Sequence, residues 1–561
     1  MKNKQSLLLR NKQGLLLRNK ILLLLLLITL LGGLFRFWKL SSYPVSLTID
    51  EVAVGYDSYS ILKTSRDSFG DFLPLSFRSI GDYKSPALFY LMAPSILVFG
   101  LNEFGVRFVI AFLGTLTIPL VYFLIFQLTK NRSWAFFSAF SLAISPWHIN
   151  FSRWSYDAMV ALFFILLGTW LFLRGLERKG QLLWLGGAFF VFSSYAYHAE
   201  KLFAPILFLG LLIIFRKELL KNKTALLKML VIMFIIAMPL INLMMGIEGQ
   251  RRMKMTFIGQ DENISYLLHN SNEKLNLNQK IFDNNFIILG NFWIKRYLNY
   301  WDPSFLFFKG MNFSLPGAPD SGIFYFFELP FFLLGLWLFF FKGVPSNKKI
   351  RYLIIFWLLV GPLPASLTNN EQHSGRSLIV IPALQFLIAL GAAYLWNYLG
   401  HINIKKRLMI LIGSLVIIVI NIIYVADLYF VHSPIQFSEY YDYGMKEASL
   451  FAWAHKDEYK EIVVDNIFGT QGPYIVGTPH LYMLFYGKYD PRLLQTERRI
   501  DLENFDKFKF RTIYWPEDRF KENTLFIGSP WRLPLKDIDE SQILKRIYFK
   551  NGQLGWLIVR T

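Results

Sequence analysis

The chain has 561 residues and no cysteine, which excludes disulfides, thiolate metal sites and a cysteine nucleophile. Its residues are 54% hydrophobic and only 17% charged, with a mean hydropathy of +0.36, whereas a soluble chain carries charge on roughly a quarter of its residues. The net charge of +20 does not point to nucleic acid, because Lys and Arg form short clusters between apolar runs, where they set membrane orientation.

The N-terminus repeats itself, Asn3 to Arg10 and then Asn11 to Arg18, and reads as a basic tail lying against an anionic inner leaflet. No small-residue cleavage site follows the apolar run Ile21 to Phe37, so this run is expected to stay as the first span. Apolar runs predict eleven spans, near 20–38, 106–128, 133–147, 157–174, 182–198, 201–216, 226–246, 323–342, 351–368, 377–398 and 406–430. The linkers Thr129 to Arg132, Arg174 to Lys179, Arg216 to Lys223, Lys342 to Arg351 and Lys405 to Arg407 are basic. Alternation through eleven spans puts all of them on the side of the basic N-terminus, which is therefore expected inside. Loops 39–105, 148–156, 247–322 and 369–376, and the C-terminus, then lie outside. Pro86 to Gly100 is short for a span, so it and Glu51 to Lys63 read as interfacial helices.

Past about residue 431 the hydropathy falls. A helix is expected over Tyr440 to His455, and strands at Glu461 to Asp465, Arg511 to Trp515, Thr524 to Gly528, Arg546 to Lys550 and Gly555 to Arg560. Such a stretch is long enough for one small α/β domain. The expected architecture is mainly α: a basic tail (1–19), a polytopic membrane domain (20–430) and an extracytoplasmic α/β domain (431–561).

Chemistry-bearing residues gather at the outer face. Asp50 and Glu51 follow the first span directly, and a carboxylate at that mouth suits proton abstraction from a substrate brought by a lipid. Asp57, Arg66, Asp67, Asp71, Arg78, Asp82 and Lys84 share the loop. Asp67 and Asp71 read as solvated loop charges. Arg78 and Lys84, just ahead of the Pro86 helix, suit a lipid phosphate, since both side chains donate charge-assisted hydrogen bonds to phosphate oxygens. Arg153 and Asp157 flank the second outer loop on the same face, where ionisable groups tend to line a polar cavity, and Arg153 is a further donor-phosphate candidate. Glu328 either lines that cavity or satisfies backbone freed by Pro330. His373 and Arg376, after a proline-broken span end, are further phosphate candidates, although a single His also reads as a structural hydrogen bonder. There is no P-loop, no dinucleotide fingerprint and no His pair at zinc spacing. No cofactor is expected; a divalent cation on Asp50 and Glu51 is compatible with the pattern but not demanded by it.

Thr48-Ile-Asp-Glu-Val-Ala-Val-Gly-Tyr-Asp, Gly81-Asp-Tyr-Lys-Ser-Pro86 and Phe99-Gly-Leu-Asn-Glu-Phe-Gly-Val-Arg107 resemble the GT-C glycosyltransferases. The resemblance is to the bacterial branch related to protein O-mannosyltransferases and the lipid A aminoarabinose transferase. Pro146 to Arg153, Leu306 to Gly310 and Pro362 to Arg376 are similar to that family's outer-face segments. The resemblance implies a polyprenyl-phosphate sugar donor, Asp50 as general base with Glu51 beside it, Asp157 as a second acid of the cavity and Lys84 on the donor phosphate. Relatives often carry two prolines after that lysine, where this chain has Ser85-Pro86. The implied enzyme sits in the plasma membrane and serves a lipid, glycan or protein acceptor, which the outer domain would select. A polyprenyl-lipid flippase shares the spans and a phosphate site, but such transporters place polar groups at the midplane of internal repeats. A noncatalytic polysaccharide-assembly protein is the third class that fits the composition.

Overall fold

The computed structural model describes residues 2–79, 81–246, 249–250, 255–270, 284–310, 317–369, 372–497 and 504–561, without the side chains of 2–18 and 269–270. The amphipathic reading of the N-terminal repeat therefore lies outside the described side chains. Helix α1 (Lys2–Phe37) runs unbroken into the first loop. Its Arg36 is fully buried and donates to the carbonyls of Gly32, Leu142 and Ala143. That side chain pins the end of α1 to the segment that enters the second outer loop.

The loop holds helix α2 (Ile49–Thr64), the hairpin β1 (Phe77–Ser79) and β2 (Asp82–Lys84), and helix α3 (Ala87–Phe99). The bundle continues with α4 (Glu103–Thr129), α5 (Arg132–Ile144), the short α6 (Pro146–Arg153), α7 (Ala158–Glu177), α8 (Leu183–Ala196), α9 (Glu200–Ile214) and α10 (Lys223–Met245). After α11 (Asn285–Asn299) it is completed by α12 (Leu329–Phe340), α13 (Lys348–Val360), α14 (Ile381–Leu399) and α15 (Ile404–Asp427).

Among the described residues, seven helical stretches are long and apolar enough to cross a membrane, and each coincides with an expected span. The remaining four expected spans fall on α5, α8, α9 and α12, of 13, 14, 15 and 12 residues. At about 1.5 Å per residue these are roughly 20 Å long, short of a hydrocarbon core of about 30 Å. Close helix contact accompanies this shortness. A Cβ on Gly335 of α12 or Gly391 of α14 would collide with the backbone of the other helix, a small-residue contact typical of packed membrane helices. At 13 residues α3 matches α5 in length, so length alone does not separate an interfacial helix from a short span.

The C-terminal region forms a five-stranded sheet, ordered β6-β3-β7-β9-β8. Its strands are β3 (Glu461–Val464), β6 (Phe508–Phe510), β7 (Thr524–Gly528), β8 (Ile543–Tyr548) and β9 (Leu554–Arg560), with a small hairpin of β4 (Ile467–Phe468) and β5 (Ile475–Val476) beside it. β3 pairs in parallel with β6 and β7, while β7, β9 and β8 pair antiparallel. Helix α16 (Met445–Ala454) is shorter than the stretch expected from 440. The strand expected at Arg511 to Trp515 lies earlier, because Arg511 turns out to pair with Asp518 at 2.6 Å and Trp515-Pro516 opens a helical turn. Two helices, α17 (Pro479–Gly487) and α18 (Pro491–Glu497), add to the predicted set.

Helix α2 is not a membrane-surface helix as expected. It is enclosed between α3 and α4 below and α17 above, because its residues 51–58 are apolar, small or internally paired on every side. A Cβ on Gly55 would come within 2.7 Å of Phe485 and 2.8 Å of Val106. Tyr56 Oη donates to the Tyr489 carbonyl, Tyr482 Oη to the Leu47 carbonyl, and Gln495 Nε2 to Ser60, Thr64 and Asp67. Membrane and outer regions thus share one continuous apolar core.

Candidate active site

The first turn of α2 carries the acidic pair. Thr48 caps the helix: its Oγ1 accepts the Glu51 N–H at 3.3 Å, and Glu51 Oε2 accepts the Thr48 N–H at 3.0 Å. This reciprocal box fixes the turn and sends the two carboxylates to different partners. Glu51 is completely buried and takes the Arg107 guanidinium, with Nε at 2.8 Å and Nη2 at 3.1 Å, together with the Ser155 N–H at 3.2 Å. Arg107, equally buried, spends its other N–H groups on the Leu40, Pro44 and Ser46 carbonyls. This ion pair staples the loop after α1 to α4. Asp50 instead is 57% exposed and accepts from Lys84 Nζ at 2.5 Å.

Lys84 ends strand β2, whose register with β1 sets Phe77 opposite Lys84. Phe77 stacks on Phe89 of α3, at 3.8 Å between centroids, so the hairpin is seated on an interfacial aromatic pair. Its other side docks on the turn between α8 and α9, where His198 Nε2 donates to the Tyr83 carbonyl at 3.1 Å. Lys201 Nζ then donates to His198 Nδ1 at 3.0 Å. The two bonds together require the neutral imidazole with its proton on Nε2.

Asp157 sits one residue before α7, partly exposed, and feels the charges of Lys84 and Asp50. Burial pushes its carboxyl up to about 7, with the Lys84 ammonium pulling the other way and Asp50 reinforcing the rise. Beside it Tyr156 and Tyr197 share a hydrogen bond of 2.8 Å, and His373 stacks over Tyr156. Arg376 completes the wall; its Nη1 is buried without a hydrogen-bond partner among the described residues. His373 itself is held structurally, its N–H donating to Tyr300 Oη and its Nδ1 accepting the Arg376 N–H. Burial and the Arg376 charge depress its imidazole to about 3.

Asp50, Lys84 and Asp157 therefore meet in one cluster, with Arg376 and His373 on its flank. The other candidates lie elsewhere. Arg153 is fully buried, donating to the carbonyls of Phe35, Arg36 and Tyr43 and lying over the rings of Tyr429 and Phe430. Arg78 is half exposed and pairs with Asp71 at 3.6 Å. Glu328 is buried, accepting from Ser141 Oγ and, as part of a cap, from the Tyr325 N–H, a backbone group that Pro330 does not free. Asp67 is buried within a turn, accepting the N–H groups of Phe69 and Asp71, and so differs from a solvated loop charge. Sequence reasoning passed over His198, Lys201, Tyr156 and Tyr197. Their signal was a polar run, Tyr195-Ala-Tyr-His-Ala-Glu-Lys201, at a span boundary. Among the described residues no group of three or more His, Asp or Glu is arranged to hold a metal ion. Asp50 and Glu51 are turned to separate cations, an arrangement that does not fit one shared divalent ion.

Residues 83–242 match the dolichyl-phosphate-mannose-protein mannosyltransferase family. The matched stretch opens one residue before Lys84 and carries Arg107, Asp157, His198 and Lys201. YkcB of Bacillus subtilis (strain 168), itself named a mannosyltransferase by inference, is 31% identical over 175 residues. That alignment covers 30% of this chain and 22% of YkcB, so the chain spans less than a quarter of that relative. The solved structure of ArnT from Cupriavidus metallidurans bound to undecaprenyl phosphate superposes with a TM-score of 0.51 at 12% identity, over 96% of this chain and 97% of ArnT. The archaeal oligosaccharyltransferase AglB from Archaeoglobus fulgidus, in complex with an inhibitory peptide and a dolichol-phosphate, gives 0.50 at 13%, over 96% of this chain and 74% of AglB. At these identities the likeness is one of fold.

Proposed function

We propose that this chain is an integral-membrane glycosyltransferase that moves a sugar from a polyprenyl-phosphate donor to an acceptor hydroxyl or amine at the extracytoplasmic face of the plasma membrane. The observation that carries the reading is the Asp50–Lys84–Asp157 cluster at the mouth of a GT-C fold, with Lys84 and Asp157 inside the family-matched segment. The topology that goes with it has eleven spans, four of them short, with the basic linkers and N-terminus inside and the α/β domain outside.

Asp50 is the general base. As the acceptor oxygen or nitrogen attacks the anomeric carbon, its proton passes to the Asp50 carboxylate. The bond from that carbon to the phosphate oxygen breaks, and its electron pair leaves on polyprenyl phosphate. One displacement of this kind inverts the anomeric centre through an oxocarbenium-like transition state. Lys84 and Arg376 stabilise the charge gathering on the leaving phosphate. Because Lys84 is held by Asp50 before the donor arrives, an incoming phosphate draws the ammonium away and leaves the carboxylate able to accept a proton. Asp157, poised near neutrality, holds Lys84 when ionised and donates to a phosphate oxygen when protonated. Glu51 and Arg107 act from behind, fixing the turn that aims Asp50. The sugar–phosphate bond supplies the driving force, so no nucleotide and no obligatory metal enters the scheme.

The test is a panel of radiolabelled polyprenyl-phosphate sugars offered to the purified protein and to Asp50→Asn. Sugar transfer or release by the wild type, lost in a folded variant, supports the reading. No turnover of any donor, together with lipid movement across liposomes that ignores Asp50, favours a transporter instead.

A further inference from the structure

A cavity of about 950 Å³, within the size range of small-ligand sites, is lined by much of α6, including Ile149, Asn150 and Phe151, and by none of Asp50, Lys84 and Asp157. Its apolar part is built by the ends of two spanning helices, with Leu34 from α1, Trp38 just after it, and Ile422, Val425 and Ala426 from α15. These are the helix ends that lead into the Asp50 loop and the α/β domain. α15 contributes no fully buried residue along its whole length, so it stands off the bundle and leaves its flank to lipid. Phe151 separates the cavity from the cluster: it lines the one and packs on Tyr156, the neighbour of Asp157, at 5.2 Å between centroids.

The polar part of the lining is chemically specific. It offers the amides of Asn150 and Gln436, the hydroxyls of Ser321 and Tyr325, and a single carboxylate, Asp320. Among the described residues Asn150 Oδ1 is buried there without a hydrogen-bond partner, an acceptor waiting for a donor. Arg153 is the one cation among the described lining residues, and its N–H groups are taken by three backbone carbonyls and Tyr429 Oη. A phosphate would find no unengaged cation in this lining, whereas hydroxyl groups find several neutral partners. Above the mouth the surface continues as exposed rings. Tyr440 lines the cavity and adjoins Tyr474, whose ring packs on Gly469, and Trp531 Nε1 donates to the Gly469 carbonyl at 2.8 Å. All three rings are more than half exposed. The C–H faces of a sugar ring are attracted to such aromatic faces by dispersion and by the ring quadrupole.

We infer that this cavity and the Tyr440–Tyr474–Trp531 ladder above it form a binding site for a glycolipid, an acyl-chain amphiphile with an uncharged, hydroxyl-rich head. The acyl part enters between α1 and α15, the first sugar meets Asn150, and further sugars run outward over the rings. The inference rests on the glycosyltransferase reading in one respect only, that this ligand is the acceptor; the site itself stands on its lining.

The test measures equilibrium binding to the purified full chain in detergent, with radiolabelled dihexosyl diacylglycerol, diacylglycerol and undecaprenyl phosphate as separate probes. Ala426→Trp fills the apolar end and Trp531→Ala removes an exposed ring without touching the core. The expected result is at least a tenfold loss of dihexosyl diacylglycerol affinity in Ala426→Trp, with undecaprenyl phosphate affinity within twofold of wild type. Trp531→Ala is expected to weaken the dihexosyl lipid about threefold and to leave diacylglycerol unchanged. Loss of undecaprenyl phosphate binding in Ala426→Trp would overturn the inference by making the cavity a donor-tail site, as would a wild type that binds the dihexosyl lipid no better than diacylglycerol. Failure of the wild type to turn over any sugar donor strikes the glycosyltransferase reading alone, because the binding measurement does not depend on turnover.

Discussion

The adjacent acids Asp50 and Glu51 are expected to part company under the mildest substitutions available, Asp50→Asn and Glu51→Gln. Asp50 is more than half exposed and pairs with Lys84. Such pairs are worth about 0–1 kcal/mol, so the unfolding midpoint of Asp50→Asn stays near that of wild type. Its activity does not: loss of a general base costs about 10²- to 10⁴-fold, or roughly 3 to 5 kcal/mol in the barrier. Glu51→Gln does the reverse. It leaves the buried Arg107 guanidinium without a countercharge, a change that costs about 3–5 kcal/mol of stability, and whatever protein remains folded keeps Asp50. The measurement pairs tryptophan-fluorescence unfolding in detergent with kcat/KM for a turned-over donor. An Asp50→Asn protein that transfers within threefold of wild type would refute the assignment. So would a Glu51→Gln protein as stable as wild type yet inactive, since the roles of the two acids would then be exchanged.

Lys84→Met is expected to raise KM for the sugar donor about tenfold to a hundredfold, the worth of one charge-assisted phosphate contact, with little change in unfolding midpoint. The donor is a phosphodiester of fixed charge, so any pH dependence of its binding near neutrality belongs to the protein. With Asp157 held at about 7, donor affinity should rise as pH falls from 8 to 6, and Asp157→Asn should flatten that slope. The sign for stability agrees: a carboxyl raised above its unfolded value of about 3.9 favours the fold when protonated, and this contribution fades as pH climbs through about 7. Gly55→Ala places a methyl against Phe485 and Val106; overpacking of this kind costs about 1–3 kcal/mol, visible as a lower unfolding midpoint together with reduced transfer.

The long spans were legible because composition alone reports about 20 apolar residues in a row. The shorter helices α5, α8, α9 and α12 blur into their linkers, since the apolar runs there extend past the 12 to 15 residues that are helical. Asp50 and Lys84 stand out from the other loop charges mainly through the resemblance carried by Thr48 to Asp57 and Gly81 to Pro86, and Asp157 through its place at the outer end of an apolar run. Glu51 carried its own label unnoticed: Thr48-Ile-Asp-Glu51 is a Ser/Thr-x-x-Glu capping pattern, whose spacing alone assigns that carboxylate to the backbone. Thr478-Pro479 and Asp490-Pro491 likewise mark the starts of α17 and α18, by a capping-type residue followed by proline at the first helical position. What the sequence hides is distance along the chain. Nothing local in Ile49 to Thr64 shows that its upper face is covered by Phe485 and Tyr482, or that the hairpin bearing Lys84 leans on His198.

The roof over α2 has a consequence for the order of events during synthesis. Tyr56 meets the Tyr489 carbonyl across 433 positions, and Tyr482 meets the Leu47 carbonyl across 435. The helix that presents Asp50 emerges among the first residues and its cover among the last. Every span must be threaded while that helix waits with an apolar flank open. A nascent chain stopped after α15 would hold the seven long apolar helices among the described residues and the carboxylate cluster, yet would lack the helix that covers the turn bearing Asp50. On the proposed function, a copy left in the bilayer without that cover is expected to be a silent one, not a leaky hydrolase of its own donor.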